Sequence, residues 1–263
     1  MKRPFFPYTL HGASGASRRM TLTLAAAVAL AATSPSTPFA GDTNRLNVLE
    51  LFTSQGCSSC PPADKLLGEL SKRDNVLALS FPVSYWDNLG WKDTLAKESY
   101  NERQRTYAEA RGDRQIYTPQ LVVNGMTHAV GSRRAEIEAA MATTDESLRD
   151  MSVPVSATSS GNVVQVDAGA APEGSKARSA KVWLAFYNKA VSVNIGRGEN
   201  HGRKVTYTNV VRELKMAGEW AGQPSHYSIE IPRGISADGC AVLLQSDNNY
   251  AVLGAADMPV RSK

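Results

Sequence analysis

Two cysteines separated by two residues, Cys57 and Cys60, are the side chains of this sequence best suited to covalent chemistry. A free thiol has a pKa of about 8.5, so it is mostly protonated at neutral pH, and only the thiolate is a strong nucleophile. At the N-terminus of a helix the pKa of such a thiol falls to roughly 3.5–7.5. We therefore expect Cys57 to be the nucleophile and Cys60 the resolving thiol of a disulfide exchange.

Two other interpretations of the same pair stay open. The cysteines could form a structural disulfide across a turn, or supply half of a metal site. Zinc normally takes four ligands, and this sequence has no second CxxC motif and only four scattered histidines: His11, His128, His201 and His226. We expect neither a metal nor an organic cofactor. The third cysteine, Cys240, lies in an apolar run and is predicted to be a buried free thiol.

The residues around the pair predict a strand that turns directly into a helix. Residues 47–53 (NVLELFT) form a short apolar run that suits a strand buried on both faces. Gly56 and the serines between the cysteines mark the turn. Leu66, Leu67 and Leu70 then recur at helical spacing. This order would place Cys57 and Cys60 at the start of the helix.

Further elements complete an α/β pattern up to about residue 148. Residues 76–86 predict a second buried strand, and a polar helix runs through residues 100–110. Residues 121–123 predict a third strand, which Asn124-Gly125 turns into a hairpin. A helix is expected over residues 133–141. The strand–helix–strand unit implies a parallel pair of strands, to which the hairpin adds an antiparallel edge.

From residue 152 onward the pattern changes to short alternating or apolar runs separated by Gly, Pro, Asn and Ser. Such spacing favours an antiparallel sandwich or a partial barrel. One helical interruption is expected around Asn209 to Lys215.

The first forty residues predict an export signal. They hold four basic residues and no acid, and their apolar run 20–32 is shorter than the ~20 residues of a membrane span. Cleavage is expected after Ala40, with Ala31 or an uncleaved anchor as alternatives. Without these four, 25 of the 29 basic residues remain, which equals the number of acidic residues. The neutral balance of residues 41–263 argues against nucleic-acid binding. We expect a periplasmic or secreted protein, free of the membrane after cleavage, in a compartment where disulfides persist.

Three more positions are candidates because they resemble thioredoxin-like domains. Such domains carry a cis-proline before their third strand, facing the CxxC motif, and Thr118-Pro119 lies directly before LVVNG. We therefore expect a cis bond there. Thioredoxins also use a buried acid on the first strand to relay a proton to the resolving thiol. Glu50 is a candidate for this role, but it is one residue out of that spacing, which favours a salt-bridged or edge-exposed glutamate over the relay.

Two loops have open interpretations. The aromatic loop 85–91 holds Trp86 and Trp91, which we expect to be buried at a seam between domains, with an exposed binding rim as the alternative. Residues 197–204 (RGENHGRK) contain Asn200, His201 and Arg203 and are expected to form a solvated loop, with an anion site as the alternative.

A family resemblance rests on LELFTSQGCSSCPPAD, SYWDNLGWKD, ERQRTYA, YTPQLVVNG and GENHGRKVTYTNVV. Through these motifs nearly the whole mature chain resembles the secreted DUF1223 family. The resemblance implies a thioredoxin-like domain, here residues 41–148, followed by a mostly antiparallel, β-sandwich-like domain, here residues 149–263. Similar members often show a His and an Asp before the YW pair, where this sequence has Pro82 and Ser84.

The resemblance does not imply an established reaction, so we base the expected function on the chemistry of the cysteines. We expect an exported thiol–disulfide oxidoreductase that exchanges disulfides with protein thiols. The alternative is a non-catalytic periplasmic binding protein, or a metallochaperone, in which the CxxC disulfide is structural.

Overall fold

Residues 45–260, the part of the chain that the computed structural model describes, form two sheets and three α-helices. The predicted signal and its cleavage site lie outside these residues. The helices are α1 (Pro61–Leu70), α2 (Glu98–Arg111) and α3 (Arg134–Leu148). The strands are β1 (Asn47–Thr53), β2 (Val76–Pro82), β3 (Gln120–Val123), β4 (Thr127–Val130), β5 (Val155–Ser160), β6 (Val163–Ala168), β7 (Ala180–Asn194), β8 (Lys204–Trp220), β9 (Ser225–Glu230), β10 (Gly239–Ser246) and β11 (Val252–Pro259). Eight strands form the larger sheet, in the order β11-β10-β7-β8-β2-β1-β3-β4, and β5-β6-β9 form the smaller one.

Strand β1 lies between β2, to which it is parallel, and β3, to which it is antiparallel. All seven of its residues are buried, which confirms the prediction of a strand covered on both faces. Leu49 and Leu51 pack with the apolar face of α1. Val48 and Phe52 point to the other side of the sheet, where Tyr107 of α2 joins their cluster. Because successive side chains of a strand point to opposite faces of the sheet, the residues of β1 contribute to two separate cores.

The segment after residue 148 supplies four strands to the same large sheet. Strand β8 lies beside β2 in parallel orientation, with Ser80 opposite Val210. The Ser80 hydroxyl donates to the carbonyl of Thr208 at 2.7 Å, and the Asn209 amide donates to the carbonyl of Ala78 at 2.8 Å. The result is a mixed α/β architecture whose large sheet is mostly antiparallel.

The helix that we predicted around Asn209 to Lys215 is wrong, because these residues belong to the long strand β8. Register shifts between Val182 and Trp183 and between Phe186 and Tyr187 interrupt the pairing of β7 with β8. Each shift moves the inward-facing positions of the strand by one residue. The two-residue alternation that would indicate a strand is therefore broken within β8.

The smaller sheet packs over the far end of the larger one. Val164, Val166 and Ile229 of the smaller sheet share a core with Val182 and Leu184 of β7. Among the described residues, the helices are all too short or too polar to span a bilayer.

Candidate functional site

The two cysteines of the CxxC motif are joined by a disulfide, and their Cα atoms lie 5.4 Å apart. The backbone N–H of Cys60 donates to the Cys57 carbonyl at 3.2 Å, which closes a tight turn. The Cys60 carbonyl then accepts from the N–H of Asp64 at 3.1 Å, so α1 starts at Pro61 directly after the second cysteine. This agrees with the prediction that the pair opens a helix.

The disulfide is almost sealed from solvent. Cys57 exposes 2% of its surface and Cys60 exposes none, although Ser58 and Ser59 between them are exposed. The Ser59 hydroxyl lies 3.4 Å from the Cys57 sulfur. Of the two cysteines, only Cys57 reaches the surface.

The Thr118–Pro119 peptide bond is cis, as predicted. The carbonyl of Pro119 accepts from the N–H of Gly131 at 2.9 Å. A Cβ atom added at Gly131 would lie 3.0 Å from the Cβ of Ala63 and 3.3 Å from that of Pro119. Only glycine leaves room here, and Gly131 therefore lies between Pro119 and Ala63 in the first turn of α1.

Both tryptophans of the aromatic loop are half-buried and bind the residues around the motif. The indole N–H of Trp86 donates to the hydroxyl of Thr118 at 2.8 Å, and a Cβ atom at Gly56 would lie 3.2 Å from that of Trp86. The indole N–H of Trp91 donates to the side-chain oxygen of Gln55 at 2.8 Å. Trp86 therefore contacts the CxxC turn and the residue before the cis-proline. Trp91 lies between Gln55 and Gly196, which belongs to the segment after residue 148, so its position matches the seam that we expected.

Asn200 is a site residue that sequence reasoning assigned to a solvated loop. Its side chain is 1% exposed, and its amide nitrogen donates to the carbonyls of Gln55 at 2.9 Å and Cys57 at 2.8 Å. Its side-chain oxygen has no hydrogen-bond partner among the described residues. His201 and Arg203 are exposed, as expected. Asn200 therefore fixes the backbone of Cys57 from a distant part of the chain.

Replacing Asn200 with alanine is expected to lower the free energy of unfolding by about 1–3 kcal/mol, because two buried carbonyls lose their donor. Urea denaturation measures this loss. His201→Ala, at the next position but exposed, is the control and should stay within about 0.5 kcal/mol of the wild type. Equal effects of the two substitutions would contradict the assignment of Asn200.

Glu50 does not lie with the cysteines. Its fully buried carboxylate points to the α2 side of the sheet, where Arg103 donates to it at 2.6 and 3.0 Å and Tyr107 at 2.5 Å. Burial alone would lower the pKa of Arg103, but the Glu50 carboxylate outweighs it and raises that pKa. The structure thus shows the salt-bridged alternative. The candidate role of Glu50 as a proton relay to Cys60 is corrected. Side chains of β1 alternate between the two faces of the sheet, and that of Glu50 lies on the face away from α1.

We expect Arg103→Met to lower the free energy of unfolding by about 3–5 kcal/mol, because it leaves the Glu50 charge buried without its partner. Guanidinium denaturation measures the change. The double variant Glu50→Gln/Arg103→Met should recover part of the loss. Arg105→Met removes an exposed ion pair with Glu98 on the same helix and should cost no more than about 1 kcal/mol.

Asp64 is the acid that the fold places beside the motif, and it was missing from the sequence prediction. It is 2% exposed, and neither of its carboxylate oxygens has a hydrogen-bond partner among the described residues. It lies one helical turn after Cys60 in α1, and the polar groups that act on its carboxyl group are those of Thr53, Asp93 and Tyr207. The four-residue spacing from Cys60 was the available signal. An acid in the first turn of a helix is usually exposed and interacts with the helix dipole, so the sequence did not indicate that Asp64 is buried.

Burial raises the pKa of Asp64 to about 7; the Thr53 hydroxyl offsets part of this rise, and the Asp93 carboxylate adds to it. Burial also raises the pKa of Asp93, whose oxygens accept from the backbone N–H groups of Gln55 at 2.7 Å and Leu95 at 2.8 Å. Asp64 can therefore hold or release a proton near neutral pH, one helical turn from Cys60.

The remaining cysteine, Cys240, is a fully buried free thiol in β10, as predicted. Burial, with a contribution from Asp257, raises its pKa to about 12. Within residues 45–260 no three His, Cys, Asp or Glu side chains come together in an arrangement that would hold a metal ion.

Comparison with known proteins gives one short match to a curated sequence and two similar structures. Over 37 residues the chain is 40% identical to a "Probable Thioredoxin" of Archaeoglobus fulgidus, a match that takes in 14% of this chain and 41% of the length of that relative. A crystal structure of a protein from Agrobacterium tumefaciens is 33% identical, covers 82% of this chain and 95% of its own, and superposes with a TM-score of 0.72.

HBP35 of Porphyromonas gingivalis shares the fold at 10% identity, with a TM-score of 0.57 over 82% of this chain and 75% of its own. The family model "Protein of unknown function (DUF1223)" matches residues 48–245. That match spans most of the described fold, from β1 into β10. The chain therefore belongs to the DUF1223 family.

Proposed function

We propose that this protein is an exported thiol–disulfide oxidoreductase that exchanges disulfides with protein thiols, and that residues 45–148 are its thioredoxin-like unit. The observation that carries the proposal is the Cys57–Cys60 disulfide directly before α1, with the cis-proline Pro119 separated from the first turn of that helix only by Gly131. The short match to a probable thioredoxin supports the same reading. The unpaired acid Asp64 adds a proton-holding group one turn from Cys60.

The exchange begins when a client thiolate attacks the sulfur of Cys57. A client–Cys57 disulfide forms, the Cys57–Cys60 bond breaks, and the Cys60 thiolate takes the proton of the Asp64 carboxylic acid. A second client thiolate then attacks the client sulfur of the mixed disulfide, which releases Cys57 as a thiolate. The client has become a disulfide and the CxxC pair a dithiol. The reverse sequence reduces a client disulfide, with the Asp64 carboxylate accepting the proton from Cys60.

The near-complete burial of Cys57 favours a second candidate function. In this alternative the disulfide is a structural link that holds the turn beside Pro119, and the protein is a non-catalytic periplasmic binding protein. Structural disulfides have potentials below about −300 mV, whereas catalytic CxxC pairs range from about −270 to −120 mV.

The reduction potential of the CxxC pair and the turnover of insulin disulfides test the proposal. We expect a potential within the catalytic range, a Cys57 thiol pKa below about 7.5, and measurable turnover. A potential below about −300 mV together with a thiol pKa of about 8.5 and no turnover would establish the structural alternative.

A further inference from the structure

The loop between β7 and β8, residues 195–203, has a fixed shape. The N–H of Ile195 donates to the carbonyl of Arg203 at 2.9 Å, and the N–H of Gly202 donates to the carbonyl of Ile195 at 2.9 Å. Gly198 and Gly202 have φ angles of 76° and 77°, which glycine adopts without strain. The loop therefore presents its side chains from a closed, hydrogen-bonded frame.

This β7–β8 loop is held beside the nucleophilic cysteine. Asn200 at its centre donates to the carbonyls of Gln55 and Cys57. A Cβ atom at Gly196 would lie 3.1 Å from the ring of Trp91, which in turn hydrogen-bonds to the side chain of Gln55. Two independent contacts thus fix the loop against the residues that lead into the CxxC motif.

The exposed side chains of this loop and of the strand that follows are mainly basic. Arg197, Arg203 and Lys204 are exposed cations, and Glu199 is the one exposed acid among them. None of these four side chains forms an ion pair with another described residue. The local balance is a net charge of +2, on a chain whose residues 41–263 are neutral. Unpaired basic side chains therefore flank Asn200, whose amide donates to the carbonyl of Cys57.

We propose that the β7–β8 loop is a client-recognition surface that selects protein disulfides flanked by acidic residues. The inference rests on the proposed function and adds its substrate class. Unpaired charges at the rim of a site raise the rate of encounter with a partner of opposite charge. The effect is screened by salt, because the Debye length falls from about 10 Å at 0.1 M to about 3 Å at 1 M.

Three peptide disulfides of equal length, flanked by glutamate, by lysine or by serine, provide the test. The second-order rate constant of each with the reduced full-length protein is measured at low and high ionic strength. We expect the acidic peptide to react at least about 10-fold faster than the basic one at low salt. The ratio should shrink to about twofold at an ionic strength of about 1 M.

The variant Arg197→Gln/Arg203→Gln/Lys204→Gln should lose the preference, with a ratio of rate constants within about twofold of one. A matched control, Lys72→Gln/Lys215→Gln/Arg233→Gln, removes the same charge from exposed positions outside residues 195–204 and should keep the wild-type ratio.

Exchange of all three peptides at equal rates, or a ratio that survives in the loop variant, would overturn the inference and leave the proposed function intact. If the serine-flanked peptide also fails to exchange with the wild type, the proposed function fails, and the inference falls with it.

Discussion

Serine in place of Cys57 is expected to reduce exchange with protein disulfides by at least about 1000-fold, because the attacking sulfur of a covalent mechanism has no substitute. Serine in place of Cys60 should instead stop the reaction halfway. Cys57 would still attack the client, but no resolving thiol would release it. Non-reducing electrophoresis and mass spectrometry should show a stable adduct of the Cys60→Ser protein with its client.

Cys240→Ala is the matched control, because this thiol is fully buried in β10 and is not part of the exchange site. It should keep wild-type exchange and form no adduct. Both single variants of the CxxC pair also lose the disulfide, whose closed loop of about four residues stabilises the fold by about 2 kcal/mol. Stability therefore cannot separate the catalytic from the structural reading. An absence of any mixed disulfide with Cys60→Ser would refute the catalytic reading.

Asparagine in place of Asp64 is expected to stabilise the protein at alkaline pH. Burial raises the pKa of Asp64 from 3.8 to about 7 in the folded protein, while in the unfolded chain the carboxyl keeps its ordinary value. Between these two pH values the folded state binds the extra proton, so the free energy of unfolding falls as pH rises through this window. Asparagine does not titrate and avoids this loss, which reaches about 4 kcal/mol above pH ~7.

Denaturation of the wild type and of Asp64→Asn at a series of pH values measures this difference. The two curves should meet below pH ~4 and separate as the pH increases. Asp74→Asn, at an exposed acid just after α1, is the control and should shift stability by no more than about 0.5 kcal/mol. A constant offset between the wild type and Asp64→Asn at every pH would show that Asp64 does not titrate in this window.

The same variant tests the role of Asp64 in exchange. A small thiol cleaves the Cys57–Cys60 disulfide, and its rate constant is corrected for the ionisation of that thiol. We expect the corrected rate constant of the wild type to fall as pH rises through about 7, because the Asp64 carboxylic acid that protonates Cys60 is lost. Asp64→Asn should react about 100-fold more slowly, without this inflection. Asp93 and Tyr207 also interact with the Asp64 carboxylate, because Asp93 raises the pKa of Asp64 and Asp64 raises that of Tyr207. Variants of either residue should therefore shift the pH of this inflection without removing it.

Local patterns were sufficient for the part of the site that is contiguous in the chain. An apolar run, a glycine and a leucine spacing placed Cys57 and Cys60 between a buried strand and a helix, because these signals act between residues a few positions apart. The hairpin at Asn124-Gly125 follows from the left-handed backbone at both positions, with φ of 51° and 70°. The cis bond of Pro119 was expected from the resemblance to thioredoxin-like domains together with its position directly before a strand.

Only the tertiary structure decided which distant residues meet this turn. Asn200 reaches the Cys57 carbonyl across 143 positions, and Arg103 reaches Glu50 across 53. Asp64 is buried because Thr53 at the end of β1, Asp93 and Tyr207 of β8 come together around it in the fold, and no local pattern indicates this. Polar residues are usually exposed to solvent, and only the packing of segments that are distant in the chain determines which of them lose water and gain a partner.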